Sequence, residues 1–185
     1  MMQEDNKWEL TKSEAGPDLA IFNVRFDYQK NLRNGKVLKA TVLESADSVN
    51  VVVVTRSQKV VLVRQLRFGT QTETFELPGG LIDEGEDHKT AAIRELKEET
   101  GYTATNWQYL GAIQANPVFM DSEIHHWLVT DAMKTDDIKL DEGENIDFYE
   151  IDKETLVEMV KNGMIKHPHT LTALSRVFKI WDPIL

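Results

Sequence analysis

The chain holds 185 residues, 41% apolar and 28% charged, which supplies a packed core and excludes disorder along its whole length. Lys plus Arg number 21 against 31 Asp plus Glu, a net charge of −10, which argues against broad binding to nucleic acid polymers or anionic membranes and means that a polyphosphate substrate needs a cation beside it. Cysteine is absent, so disulfides, a thiolate nucleophile and Cys-ligated zinc are excluded, and a reducing cytoplasm fits.

The first ten residues are polar and acidic, without the basic and apolar regions of a signal peptide. The longest apolar run, Val51 to Val54, is far short of the roughly 20 residues that span a bilayer. Leu19 to Tyr28 is predicted as a strand, Asn34-Gly35 as a tight turn, and Val37 to Leu43 as the returning strand of a hairpin. Val49 to Val54 and Val60 to Leu66 predict a second hairpin around a polar turn. Pro78-Gly79-Gly80 breaks regular structure, Asp87 to Thr100 has helical composition, and Gly101 stands where a helix end favours positive φ. Trp107 to Ala115, His125 to Val129 and Ile146 to Ile151 are predicted strands, and Lys153 to Lys161 and Thr170 to Ile180 predicted helices. In the last of these, Leu171, Leu174, Val177, Phe178 and Trp181 recur at core-packing spacing. This order predicts a mixed α/β (α+β) sandwich. Residues 1–46 are expected to form an N-terminal antiparallel β extension that packs on a partner chain, and residues 47–185 the main domain.

At about 100° per residue, Glu95, Glu98 and Glu99 fall on one arc of the Asp87–Thr100 helix. Ala92, Ile93 and Leu96 take the adjoining, core-facing arc, and Ala91 leaves room above the acids. As a surface this is unfavourable. Glu95 and Glu99 are like charges one turn apart, and all three acids sit near the helix C-terminus, where the macrodipole favours cations. Clustered carboxylates suit the hard cations Mg²⁺ or Mn²⁺. The alternative is a solvated acidic face. His125-His126 and His167-Pro168-His169 are not expected to form metal sites, because adjacent strand residues point to opposite faces and the second pair flanks a proline at a helix start. Trp8, Trp107, Trp127 and Trp181 are expected as core or interface anchors.

The segment from Gly80 through Glu86 to Arg94-Glu95-Leu96-Lys97-Glu98-Glu99-Thr100-Gly101 resembles the signature of the Nudix hydrolases at every spacing. Seven fixed positions coincide by chance on the order of once in 10⁸ windows. Tyr102 departs from the pattern, being aromatic where the family prefers an aliphatic residue. The resemblance implies a Nudix-type α/β/α sandwich with a mixed sheet. It implies Glu95 and Glu99 as the main ligands of Mg²⁺ (with Mn²⁺ as a substitute), Glu98 close by, the Gly79 carbonyl as a further ligand, Arg94 orienting the glutamates, and Glu86 supporting the site or touching a metal through water. Gly80 and Gly101 carry backbone roles.

The resemblance further implies hydrolysis of a nucleoside diphosphate joined to another group. Pro117, beyond the motif, is similar to the proline of the branch that cleaves ADP-ribose and other nucleoside diphosphate sugars, although Val118-Phe119-Met120 departs from the glycine often found there. In that branch a loop carboxylate serves as general base and another as metal ligand. Glu142 and Glu144, in Leu140-Asp-Glu-Gly-Glu-Asn145, stand in those places, with an ordinary solvated turn as the alternative. Arg64 and Arg67 lie on opposite faces of one strand, so at most one meets phosphate, and Arg67 is the choice. Glu76 is a candidate for contact with the substrate or a metal, and Phe26 and Tyr28 are candidates for stacking on a base across a homodimer built through the N-terminal strands, with a core role for both rings as the alternative. Competing readings are hydrolysis of nucleoside triphosphates or dinucleoside polyphosphates, and a nucleotide-sugar sensor without catalysis.

Overall fold

The computed structural model describes residues 7–140 and 143–181. The chain divides into two compact units, one running through Ala46 and taking in Gln114–Glu123, the other comprising Asp47–Ile113 and the chain from Ile124 onward.

In the first unit, β1 (Trp8–Asp18), β2 (Asn23–Asn31) and β3 (Val37–Glu44) form an antiparallel sheet in that order. β1 was not expected, and the residues Leu19–Phe22, read as strand, form the turn into β2. There the Leu19 amide donates to the Phe22 carbonyl, the Ala20 amide to the Asp18 carboxylate, and Ala20 takes φ 68°. Gln114–Glu123 joins this unit through a bond from the Leu43 amide to the Phe119 carbonyl.

The second unit is a mixed sheet between helices. β4 (Ser48–Thr55) and β5 (Val60–Arg67) are the expected hairpin, and β6 (Thr72–Glu76) pairs antiparallel with the C-terminal part of β5. β9 (Glu123–Lys134) lies parallel to β4, whereas β10 (Asp147–Ile151) pairs antiparallel to β5 and β7 (Tyr102–Thr103) antiparallel to β9. β8 (Asn106–Gln114) also pairs with β9. The β-branched run of β4 is apolar on both sides because both faces are covered. Val49, Val51 and Val53 pack with Ala91, Ala92 and Leu96 of α1 (His88–Thr100). Val52, Val60 and Leu62 pack with Leu156 and Val160 of α2 (Lys153–Lys161) and Ala173 and Leu174 of α3 (Pro168–Ser175). This is the α/β/α sandwich the sequence implied. Among the described residues, no helix is long and apolar enough to cross a membrane.

Two helical readings are corrected. Ile93 of α1 is 43% exposed rather than in the core, because α1 presents Ala91, Ala92 and Leu96 inward and turns Ile93 away. The last helix ends at Ser175, where the ladder tightens to three-residue bonds at Arg176 and Val177 and the Arg176 guanidinium reaches the Leu110 carbonyl, so Trp181 lies beyond it, exposed.

Candidate active site

α1 is fixed at both ends by local chemistry. The Asp87 carboxylate accepts from the amides of Lys89 and Thr90, which satisfies the open N-terminus, and Gly101 ends the helix in the left-handed region at φ 72° with its amide bonded to the Lys97 carbonyl. Glu95 and Glu99, one turn apart, are held inward with Leu96 and are only 7% and 2% exposed. Glu98 lies on the open side.

Arg94 gathers the acids. Its Nε and Nη2 donate to Glu86 at 3.2 and 2.9 Å, its Nη1 to Glu95 at 2.8 Å and to Glu98 at 3.3 Å, and its Nη2 also to the Leu81 carbonyl at 3.1 Å. This fork lowers the Glu86 carboxyl below its ordinary range. Glu99 accepts from the Gly79 amide at 2.9 Å. The Pro78-Gly79-Gly80 loop passes so close to α1 that a Cβ on Gly80 would overlap the Glu95 carboxylate.

The electrostatics of the buried pair are lopsided. Burial pushes the Glu95 carboxyl up despite Arg94 and pushes that of Glu99 well up, and Glu144 adds negative field at both. Among the described residues, two carboxylates taken out of water and facing a third have one amide and one shared guanidinium as hydrogen-bond partners and, at Glu99, the field of Arg67, which leaves them short of positive charge. A divalent cation with oxygen ligands fits that deficit, which matches the chemistry of the donor set. Among the described residues, no three His, Asp or Glu side chains are gathered into a ready-made cage, since Arg94 lies between Glu86, Glu95 and Glu98.

The other expected residues are placed as follows. Glu142 lies outside the described residues. Arg67 is bound bidentately to Glu76, from Nε at 2.7 Å and Nη2 at 2.6 Å, and lies within the electrostatic reach of Glu99. Glu76 is 1% exposed, so it holds Arg67 rather than presenting itself to solvent. Arg64 pairs with Glu73 on the exposed face of the β5–β6 pair. Pro117, Phe26 and Tyr28 belong to the first unit. Pro117 sits in a turn closed by the Met120 amide on the Asn116 carbonyl at 2.8 Å. Phe26 and Tyr28 share one face of β2, where the Lys39 ammonium lies 3.8 Å from the Phe26 ring centre and that of Lys12 5.5 Å from Tyr28. His167, read as an ordinary helix-start residue, has its Nδ1 3.4 Å from Glu76, a contact between distant segments that no local sequence signal announces.

Comparison with known proteins agrees with this geometry. The family model described as NUDIX domain matches residues 44–172. The chain is 31% identical over 144 residues to a methanol dehydrogenase activator of Bacillus methanolicus, covering 77% of this chain and 78% of the relative. It is 31% identical, over the same length and shares, to an ADP-ribose pyrophosphatase of Bacillus subtilis (strain 168). A crystal structure of an ADP compounds hydrolase superposes with a TM-score of 0.80 at 22% identity, covering 92% of each chain. The motif, the sandwich that carries it and a family match spanning most of the sequence agree, and the chain belongs to the NUDIX domain family.

Proposed function

We propose that this protein is a Mg²⁺-dependent pyrophosphatase, with Mn²⁺ as a substitute, that hydrolyses the pyrophosphate bond of ADP-ribose or another nucleoside diphosphate sugar to a nucleoside monophosphate and a sugar phosphate. The observation that carries this reading is the buried, charge-deficient pair Glu95 and Glu99 beneath the Gly79-Gly80 loop. The ADP-ribose pyrophosphatase of Bacillus subtilis and that of Mycobacterium tuberculosis (strain ATCC 25618 / H37Rv), 32% identical over 127 residues, covering 68% of this chain and 61% of that relative, support the substrate.

Glu95, Glu99 and the Gly79 carbonyl would hold the cation, with Glu98, Glu144 and Glu86 as further candidates; bound there, a divalent ion would neutralise phosphate charge and lower the pKa of a water. The chain's own residues do the rest. Arg94 fixes the glutamate rotamers, Glu142 accepts the proton of the attacking water, and Arg67 meets the phosphates of the substrate. Pro117 is a candidate for substrate choice. Phe26 and Tyr28 stack on the base in a cytoplasmic homodimer built through β1–β3.

The test is product analysis after incubation with Mg²⁺ and, separately, ADP-ribose, GDP-mannose, nucleoside triphosphates and diadenosine polyphosphates. AMP and a sugar phosphate from ADP-ribose are expected. Cleavage of triphosphates with ADP-ribose untouched overturns the substrate, and tight binding without cleavage overturns catalysis. In the same assay Glu142→Gln lowers kcat by about 10²–10⁴-fold with substrate affinity kept. Wild-type turnover removes Glu142 from the mechanism.

A further inference from the structure

The Arg67–Glu76 ion pair has one dry end and one wet end. Glu76 is 1% exposed, whereas the Arg67 side chain is 45% exposed. The pair occupies the guanidinium edge formed by Nε and Nη2. Nη1 takes no part in it, and it stands on a residue within the field of Glu99.

The dry end is held by α3. The Thr74 hydroxyl donates to Glu76 Oε1, while His167 Nδ1 lies 3.4 Å from Oε2 and 3.1 Å from the Thr170 hydroxyl. The Thr170 oxygen already accepts the Leu77 amide at 3.2 Å. The Thr170 hydroxyl keeps its own O–H and can pair with Nδ1 in either tautomer, so the carboxylate decides: a bare lone pair 3.4 Å from Glu76 Oε2 is repelled, whereas an N–H there is attracted. Burial holds His167 below its ordinary pKa, which favours the neutral ring, and the neighbouring carboxylate favours the tautomer with the proton on Nδ1.

The geometry points to His167 as a positioning residue: its Nδ1–H anchors Glu76, and Glu76 in turn holds the Arg67 guanidinium with its Nη1 edge open to the diphosphate of the substrate. The inference rests on the nucleoside diphosphate reading above. A free arginine samples many rotamers and loses that freedom when it binds, so holding it in place beforehand favours binding. Without Glu76 in place, the guanidinium is also drawn toward Glu99, which holds the cation in the proposed mechanism. His167 touches no substrate; it acts through two other side chains.

The experiment is a variant series at position 167. Asn carries an amide N–H near the position of Nδ1, Gln carries one near Nε2, and Ala carries none. With ADP-ribose and Mg²⁺, His167→Ala and His167→Gln raise KM about tenfold, the loss of one charge-assisted contact, with kcat within about threefold, while His167→Asn stays near wild type. In an Arg67→Ala background, His167→Ala adds no further change to KM. Equal KM effects in both backgrounds, or rescue by Gln rather than Asn, overturn the inference. A second readout needs no substrate. The Arg67 Nε–H resonance is protected from exchange in the wild type and His167→Asn and loses that protection in His167→Ala. Unchanged protection in His167→Ala overturns the inference. If the wild type leaves ADP-ribose intact, the substrate reading fails, and the Nε–H resonance still decides the role of His167.

Discussion

Glu99 is the clearest case of a side chain placed against its own stability. A carboxylate 2% exposed, beside Glu95 and in the field of Glu144, is pushed toward its neutral form, and one amide from Gly79 does not offset that. A structural residue at this position would be apolar or an amide. Glu99→Gln keeps the shape and removes the charge, so in EDTA the variant is expected to melt a few degrees above wild type, corresponding to about 1–2 kcal/mol. Mg²⁺ then reverses the order, because binding to the folded state alone raises the wild-type melting temperature and raises that of the variant much less. Turnover falls at least about 10²-fold. The measurement is thermal unfolding with EDTA and with Mg²⁺, alongside kcat. A variant that melts below wild type in EDTA and gains equally from Mg²⁺ contradicts the assignment.

His126 on β9 raises a related question without a charge. It is fully buried, both ring nitrogens lack a hydrogen-bond partner among the described residues, and burial, reinforced by Arg176, His169 and His125, pushes its pKa down to about 4. The unfolded chain titrates near the ordinary 6.5, so above that pH neither state takes the proton, and between about 6.5 and 4 only the unfolded chain does. Stability therefore falls as the pH drops through that window. His126→Leu removes the term and the two orphaned nitrogens. In urea unfolding it is expected to equal or exceed wild type at pH 7, and to exceed it by about 1–2 kcal/mol more at pH 5. A constant difference between the two pH values contradicts the neutral, unpartnered ring.

How much of this was legible in the sequence depends on where the information lies. α1 announces itself through Asp87 at its start and Gly101 at its end, and the motif residues follow from spacing alone. β4 and β5 are legible because two-sided burial leaves continuous β-branched runs. β1 and β6 were missed because edge strands with exposed faces need no alternation. Neither Trp-Glu-Leu-Thr-Lys-Ser-Glu-Ala nor Thr-Glu-Thr-Phe-Glu carries the apolar run that marks a buried strand. That omission also hid the Arg67–Glu76 pair, which exists only because the β5–β6 register sets Val63 opposite Glu76 and Arg67 opposite Thr72, on one face. His167 needs one step more, the return of α3 to that sheet, and no local pattern encodes it.

The N-terminal sheet poses the last question, that of assembly. Three strands bury almost nothing of their own: Val24 and Asp27 are inside, while Trp8, Leu10, Val37 and Leu38 stay exposed. The register puts Leu10 and Leu38 on either side of Gln29, with Trp8 next along the same face opposite Asn31, so these three form a patch, while Val37, opposite Lys30, lies on the other face. An open three-stranded sheet with one buried apolar residue is not stable in water unless something covers it. A second copy of the same sheet is the covering surface available to every molecule in solution, and a two-fold pairing is self-complementary. Light scattering at micromolar concentration is therefore expected to give twice the 21.2 kDa chain mass. Leu10→Asp with Leu38→Asp is expected to give the single-chain mass, because each aspartate places an unpaired charge in the covered face. If Phe26 and Tyr28 on the opposite face of that sheet stack on the base of a substrate held by the other subunit, the same double variant raises KM while leaving the Mg²⁺-dependent rise in melting temperature of the second unit intact. A single-chain mass for the wild type removes the dimer, and with it any role for Phe26 and Tyr28 across an interface.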